Sequence, residues 1–292
     1  MLSSMFLALA TVPVAAQTPV FAHKAHLFLP GVVSTTYSEV RATISPDGRT
    51  VLWGSTNRPG GAGGWDIWMT RKVAGHWSAP TAVSFDTQYN EFDPAFSADA
   101  RYVYFFSNRP AGRGGDDIYR VAFDAGNARF GVVENLGAGI NSPGDEWAPT
   151  PSPDGTRLLF ATDGRGGAGR HDLFISESLN GVWQPAQALQ GLANSAADDF
   201  DGAFIAGERG LVFARSDNVE KSPISLWLTV RDGNGRYGAP VKLNDRINVE
   251  SGSTLAPVQD LSHPHRMLFS GRRPEANRGR TDIYAINYEW AE

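Results

Sequence analysis

The feature that most constrains this chain is an internal repeat, because one set of segments returns in the same order five times at a spacing of roughly fifty residues. Its anchor is Ser45-Pro46-Asp47-Gly48-Arg49. The anchor recurs as Ser97-Ala98-Asp99-Ala100-Arg101 and Ser152-Pro153-Asp154-Gly155-Thr156, and in weaker form as Ala206-Gly207-Glu208-Arg209-Gly210 and Asp260-Leu261-Ser262-His263-Pro264. A β-rich run follows each: Thr50 to Trp53, Tyr102 to Phe106, Arg157 to Phe160, Leu211 to Phe213, and Arg266 to Phe269. Proline presets φ and glycine supplies φ > 0, so each anchor reads as a turn joining two strands. A loop follows, carrying Asn57-Arg58-Pro59-Gly60-Gly61, Asn108-Arg109-Pro110, Gly164-Arg165-Gly166-Gly167 or Arg272-Arg273-Pro274. It leads to a third strand at Asp66-Ile67-Trp68, Asp117-Ile118-Tyr119, Asp172-Leu173-Phe174, Leu226-Trp227-Leu228 and Asp282-Ile283-Tyr284. Trp77-Ser78-Ala79-Pro80, Trp183-Gln184-Pro185 and Tyr237-Gly238-Ala239-Pro240 signal a fourth, outer strand.

Four short antiparallel strands per unit, repeated radially, predict an all-β fold: a five-bladed β-propeller of four-stranded antiparallel blades. The blades are expected at 37–86, 87–140, 141–193, 194–247 and 248–292. The last copy ends after its third strand. The segment from His26 to Gly31 precedes Tyr37-Ser38-Glu39 much as Ala79 to Val83 precedes Tyr89-Asn90-Glu91. Residues 26–33 are therefore expected to complete the last blade and close the ring. A linear solenoid would instead need atypical capping repeats.

The Ser-Pro-Asp-Gly turn, the β-rich strand, Ser-Asn-Arg-Pro and Asp-Ile-Tyr together resemble the TolB-type, WD-like propeller repeat of bacterial envelope proteins, over roughly Glu39 to Tyr284. The resemblance implies a fold more than an activity, since members of that family serve as envelope scaffolds, partners of peptidoglycan-associated proteins, and propeller domains of peptidases and lyases. Five repeats, where the founding protein has six blades, and no α/β domain ahead of them argue against a direct role in the Tol system. Blade four departs from the pattern, with Arg215-Ser216-Asp217-Asn218 in place of the Asn-Arg-Pro-Gly loop.

Composition narrows the setting. A net charge of -5 gives no broad basic field for nucleic acid. The absence of cysteine excludes disulfides, thiolate metal sites and a cysteine nucleophile. The apolar run Met5 to Ala16 ends in small residues and is too short to span a bilayer, so residues 1–16 read as a signal peptide ahead of a single propeller domain at 17–292. The sequence thus predicts a periplasmic or secreted monomer without a membrane span.

Residues just before each innermost strand should sit at the mouth of the central channel, and they are acidic: Glu39; Glu91 and Asp93; Asp145 and Glu146; Asp198, Asp199 and Asp201; and Glu250. Converging carboxylates repel one another unless something compensates. One reading is a hard cation such as Ca²⁺ at the mouth. Another is acid–base work on a glycosidic bond, with Glu91, Asp93, Glu146, Asp199 and Asp201 as catalytic candidates. A third is reception of a basic or polar segment of an envelope protein or peptide. The plain alternative is that each acid accepts backbone hydrogen bonds or pairs with an arginine of the neighbouring blade. Trp147, beside Asp145 and Glu146, is placed either to stack on a glycan or a partner, or to pack in the core. Asp66, Asp117, Asp172 and Asp282 recur at strand starts and are expected to be structural, held by Arg58, Arg109, Arg165 and Arg273 or by turn amides. His263-Pro264-His265 reads as an exposed turn, and no serine-nucleophile elbow is present. The function predicted is a non-catalytic envelope interaction or ligand-binding propeller acting through an acidic mouth, with a carbohydrate-active hydrolase or lyase as the alternative.

Overall fold

The computed structural model describes residues 18–250, 252–273 and 278–290; the expected signal peptide at 1–16 lies outside them. Five antiparallel sheets are formed, with inner strands Ser38–Ile44, Glu91–Phe96, Glu146–Pro151, Asp198–Ile205 and Thr254–Gln259 for blades I to V. The second strands, Thr50–Thr56, Tyr102–Ser107, Arg157–Thr162, Gly210–Ser216 and Arg266–Gly271, are buried almost throughout. Their continuous apolar runs follow from a sheet covered on both faces by neighbouring blades.

The anchor turns close as expected. Ser45 Oγ donates to Asp47 Oδ1 at 2.6 Å while accepting from Thr50 N at 2.9 Å, and Gly48 takes φ +68°. Blades II and III repeat this with Ser97–Asp99 and Ser152–Asp154. Asp66, Asp117, Asp172 and Asp282 are held by amides of the glycine loops, for example Ala62 and Gly63 onto Asp66 and Gly169 onto Asp172. The glycines serve close approach: a Cβ on Gly114 would lie 2.1 Å from Gly144 O. The loop arginines do other work. Arg58 lies 4.6 Å over Trp68, and Arg109 lies over Phe105 and Tyr119 while pairing with Glu91. Despite its altered loop, blade IV keeps the device, with Arg215 stacked on Trp227 and paired with Asp199 at 2.6 Å.

The ring is closed by the N-terminus. His26–Leu27 pairs with Tyr284 and Ala285, and a further strand, Pro19–Phe21, pairs with Tyr288 to Trp290. The second of these contacts extends the closure beyond the expected segment. No helix among the described residues is long and apolar enough to cross a membrane.

One linker position is chemically anomalous. Asn141, Asn194 and Asn248 each clip the third strand, accepting from the backbone N–H and donating to the C=O of Ile118, Leu173 and Leu226 respectively. In blade I the position is Asp86, whose Oδ1 accepts from Ile67 N and whose buried Oδ2 has no partner. Burial pushes its carboxyl up to about 8, with the Glu91 and Asp66 charges adding to the effect against the Ile67 amide. The native state therefore holds the proton more tightly than the unfolded chain, whose aspartates titrate near pH 4, as in model peptides. That contribution is full below about pH 4 and is lost as pH rises through about 8. Asp86→Asn is expected to match wild type at pH 5 and to be more stable by on the order of 2 kcal/mol at pH 9. Urea midpoints at the two pH values measure the gap, and parallel pH profiles would show the assignment to be mistaken.

Candidate functional site

Each inner strand carries one β-bulge, at Val40/Thr43, Phe92/Ala95, Trp147/Thr150, Phe200/Ala203 and Leu255/Val258. The residue at its centre has φ near +50°: Arg41, Asp93, Ala148, Asp201 and Ala256. None is glycine, so each carries left-handed strain, roughly 1–2 kcal/mol. Bulges re-aim side chains and are treated as built features. Here they turn five side chains towards the axis and leave the preceding residue, Val40, Phe92, Trp147, Phe200 or Leu255, lining a pocket on the mouth face.

That pocket encloses about 330 Å³. Trp65 and Phe92 lie 4.4 Å apart by ring centroid and Phe106 meets Phe92 edge-on at 5.4 Å, forming one aromatic wall. Trp147 faces Phe200 at 6.4 Å on another. The polar groups are Asn90, Asp93, Asp116 and Asp201. Asp116 accepts from Trp147 Nε1 at 2.9 Å, and burial pushes its carboxyl up to about 6, assisted by Asp145 and Asp117.

Arg41 lies buried beside the two axial acids, Asp93 and Asp201. Only 1% exposed, it reaches from blade I to blade III, where Nη2 donates to Thr150 Oγ1 at 2.7 Å and to Pro149 O at 3.3 Å. Thr150 also lines a small apolar cavity of about 60 Å³, together with residues including Phe96, Phe204 and Val258. Asp93 and Asp201 share the axial space with Arg41. Burial raises Asp93 well above the usual carboxylate range, and the Asp201 charge adds to this against Arg41. Burial raises Asp201 too, but Arg41 and the Ala256 amide, which donates to Oδ2 at 3.0 Å, oppose it. Burial thus favours the neutral form of both acids, most strongly at Asp93, while Arg41 favours the ionised form of each. Asp93 Oδ1 is buried without a hydrogen-bond partner.

Of the ten mouth residues expected from sequence, the structure brings three to this pocket: Asp93, Trp147 and Asp201. Glu39, Glu91, Glu146 and Asp199 start their strands but are enclosed in cages. Each accepts from the backbone N–H and hydroxyl of a Thr or Ser four residues earlier: Thr35, Thr87, Ser142 and Ser195. Glu91 and Asp199 add an arginine, whereas Glu146 adds Thr162. Without such an ion pair, burial pushes Glu39 up to about 7 against its Thr35 hydrogen bonds. In blade V, Thr254 takes the same position, and Glu250 lies exposed in a turn away from the pocket. Asp145 and Asp198 pin the start of the third strand, accepting from Asp116 N and His171 N. Arg41, Asp116 and the aromatic wall were not foreseen. Their signal was the offset itself, since Arg41 follows Glu39 by the same two places as Asp93 follows Glu91 and Asp201 follows Asp199.

No protein-family model matches the chain, and no curated protein matches it in sequence. Solved structures do match in shape. The α-L-arabinofuranosidase PaAbf62A from Podospora anserina, solved with cellotriose, is 9% identical with a TM-score of 0.55, covering 94% of this chain and 97% of its own. A thermostable family-43 glycoside hydrolase is 12% identical with a TM-score of 0.52, covering 89% and 91%. TolB from Acinetobacter baumannii is 16% identical with a TM-score of 0.49; the match covers 88% of this chain and spans 56% of that protein. At these identities the likeness extends to the fold alone.

Proposed function

We propose that this protein is an exported, ligand-binding propeller whose site is the axial pocket, and that its ligand is a saccharide unit of a glycan. The observation that carries the reading is the pairing of aromatic walls with carboxyl and carboxamide groups in one concave space. Indole and phenyl faces stack on the apolar face of a sugar ring, while Asn90, Asp93, Asp116 and Asp201 supply partners for its hydroxyls. A basic peptide fits less well, because Arg41 offsets the acidic charge and burial favours the neutral form of Asp93.

Trp147→Ala is expected to weaken binding of the best ligand in a panel of neutral and acidic oligosaccharides by about 10–100-fold, equivalent to roughly 1.4–2.8 kcal/mol. Asp93→Asn, which keeps a hydrogen-bonding amide, should weaken it less. Titration calorimetry reads both, and a panel without any binder, or affinity indifferent to Trp147, would refute the assignment. A hydrolytic reading is favoured by one feature: Asp93, whose carboxyl burial raises well above the usual range, stands beside Asp201, whose ionised form Arg41 and the Ala256 amide favour, and general acid–base chemistry uses carboxyls set apart in this way. Product release by wild type but not by Asp93→Asn would convert the binding site into an active site.

A further inference from the structure

Blade III is unlike the others at three corresponding positions. The residue before the inner-strand acid is Ser38, Asn90, Asp145, Asp198 or Ser253 in blades I to V. The residue after the second strand is Asn57, Asn108, Asp163, Asp217 or Arg272. The residue that opens the third strand is Trp65, Asp116, His171, Ile224 or Thr281. Blade III alone places two carboxylates and an imidazole there, so the fold itself does not require the combination.

We infer that Asp145, Asp163 and His171 bind one divalent first-row transition ion of the Zn²⁺ class, on the mouth face beside the axial pocket. One donor atom from each lies within 4.8 Å of the others. His171 is 3% exposed, and its Nε2 is buried with no hydrogen-bond partner, 3.9 Å from Asp163 Oδ2. Nitrogen and oxygen ligands of a tetrahedral Zn²⁺ stand about 3.4 Å apart, so a small movement of the exposed Asp163 side chain closes the site. The other ring nitrogen, Nδ1, is 3.1 Å from Asp198 Oδ1. That carboxylate accepts a hydrogen bond from Nδ1–H and leaves the Nε2 lone pair facing Asp163, the arrangement by which outer carboxylates orient metal-binding imidazoles.

The ring plane is fixed as well, since Trp147 stacks on it at 4.0 Å and 17°. Each acid is held through one oxygen, Asp145 Oδ1 by Asp116 N and Asp163 Oδ1 by Asp145 N. A nitrogen donor selects against Ca²⁺, which takes oxygen ligands, and favours ions that accept imidazole with carboxylate. Three protein ligands leave a tetrahedral ion one open position.

The test is calorimetric titration of the chelator-treated protein with ZnCl₂ alone, repeated with CaCl₂. Wild type should bind one equivalent of Zn²⁺ with Kd in the micromolar range or tighter, and its Tm should rise with the metal. His171→Gln and Asp163→Asn should abolish this binding, and Asp198→Asn should weaken it about 10–100-fold. Because Asp163 is exposed, its variant should keep the wild-type Tm in chelator and so report on the ligand alone. Absence of Zn²⁺ binding would overturn the assignment. So would Zn²⁺ binding that survives both ligand substitutions, or tighter binding of Ca²⁺ than of Zn²⁺.

Discussion

Arg41→Leu is expected to destabilise the protein by about 3–5 kcal/mol, the usual cost of leaving a buried partner charge uncompensated. Arg41 is almost wholly enclosed and binds across the axis to blade III, so its removal also frees Thr150 and Pro149 O from their shared donor. The larger effect falls on Asp201, whose ionised form only Arg41 and one amide favour against burial. If that is the mechanism, the loss is not additive. Adding Asp201→Asn to Arg41→Leu should recover at least half of it, because a neutral carboxamide in the same place no longer needs a cation. Urea denaturation of the two single variants and the double variant forms the cycle. A double variant as unstable as the sum of its parts would show that Arg41 matters only for packing.

Removal of residues 18–28 should be at least as damaging, on the order of 5 kcal/mol, comparable with the whole stability of many domains. Those residues carry Phe21 and Phe28, each buried, and at about 2 kcal/mol per buried large apolar side chain they account for most of that figure. Phe21 packs on Tyr288 with ring centroids 5.8 Å apart, and its carbonyl accepts from Arg246 Nη1. Without the segment, the edge from Asp282 to Trp290 loses its partner strand and presents unpaired backbone groups to other chains. The truncated protein should therefore unfold at a much lower urea concentration and self-associate. A synthetic peptide of residues 18–33 supplied in trans should reverse both. A truncated chain with the wild-type midpoint would mean that ring closure contributes little.

Most of the fold was legible because repetition multiplies weak signals. No single Pro-Asp-Gly turn proves a hairpin, but the same turn, apolar strand, glycine loop and third strand in fixed order leave few architectures that bury every strand. Even the closing segment was readable, since the last copy lacked an outer strand and the first residues supplied one. The site was less legible. Acidity pointed to Glu39, Glu91, Glu146 and Asp199, and their recurrence marks the structural role that their Thr and Ser cages confirm. Axial residues sit two places further on, where the bulge forces a left-handed backbone that no residue type announced: Arg, Asp, Ala, Asp and Ala occupy it. His171 was hidden for a related reason. It is one scattered histidine in sequence, and only the meeting of strand ends brings it to Asp163 and Asp145.

The central claim is that the axial pocket is where this protein meets its ligand. It is tested most directly by a crystal structure at a saturating concentration of the oligosaccharide selected by the binding panel. The expected result is a sugar ring held between the Trp65–Phe92 wall and Trp147, with one hydroxyl in hydrogen-bond distance of the Asp93 carboxyl. A saccharide seated on the outer edges of the blades, with only water in the axial pocket, would contradict it.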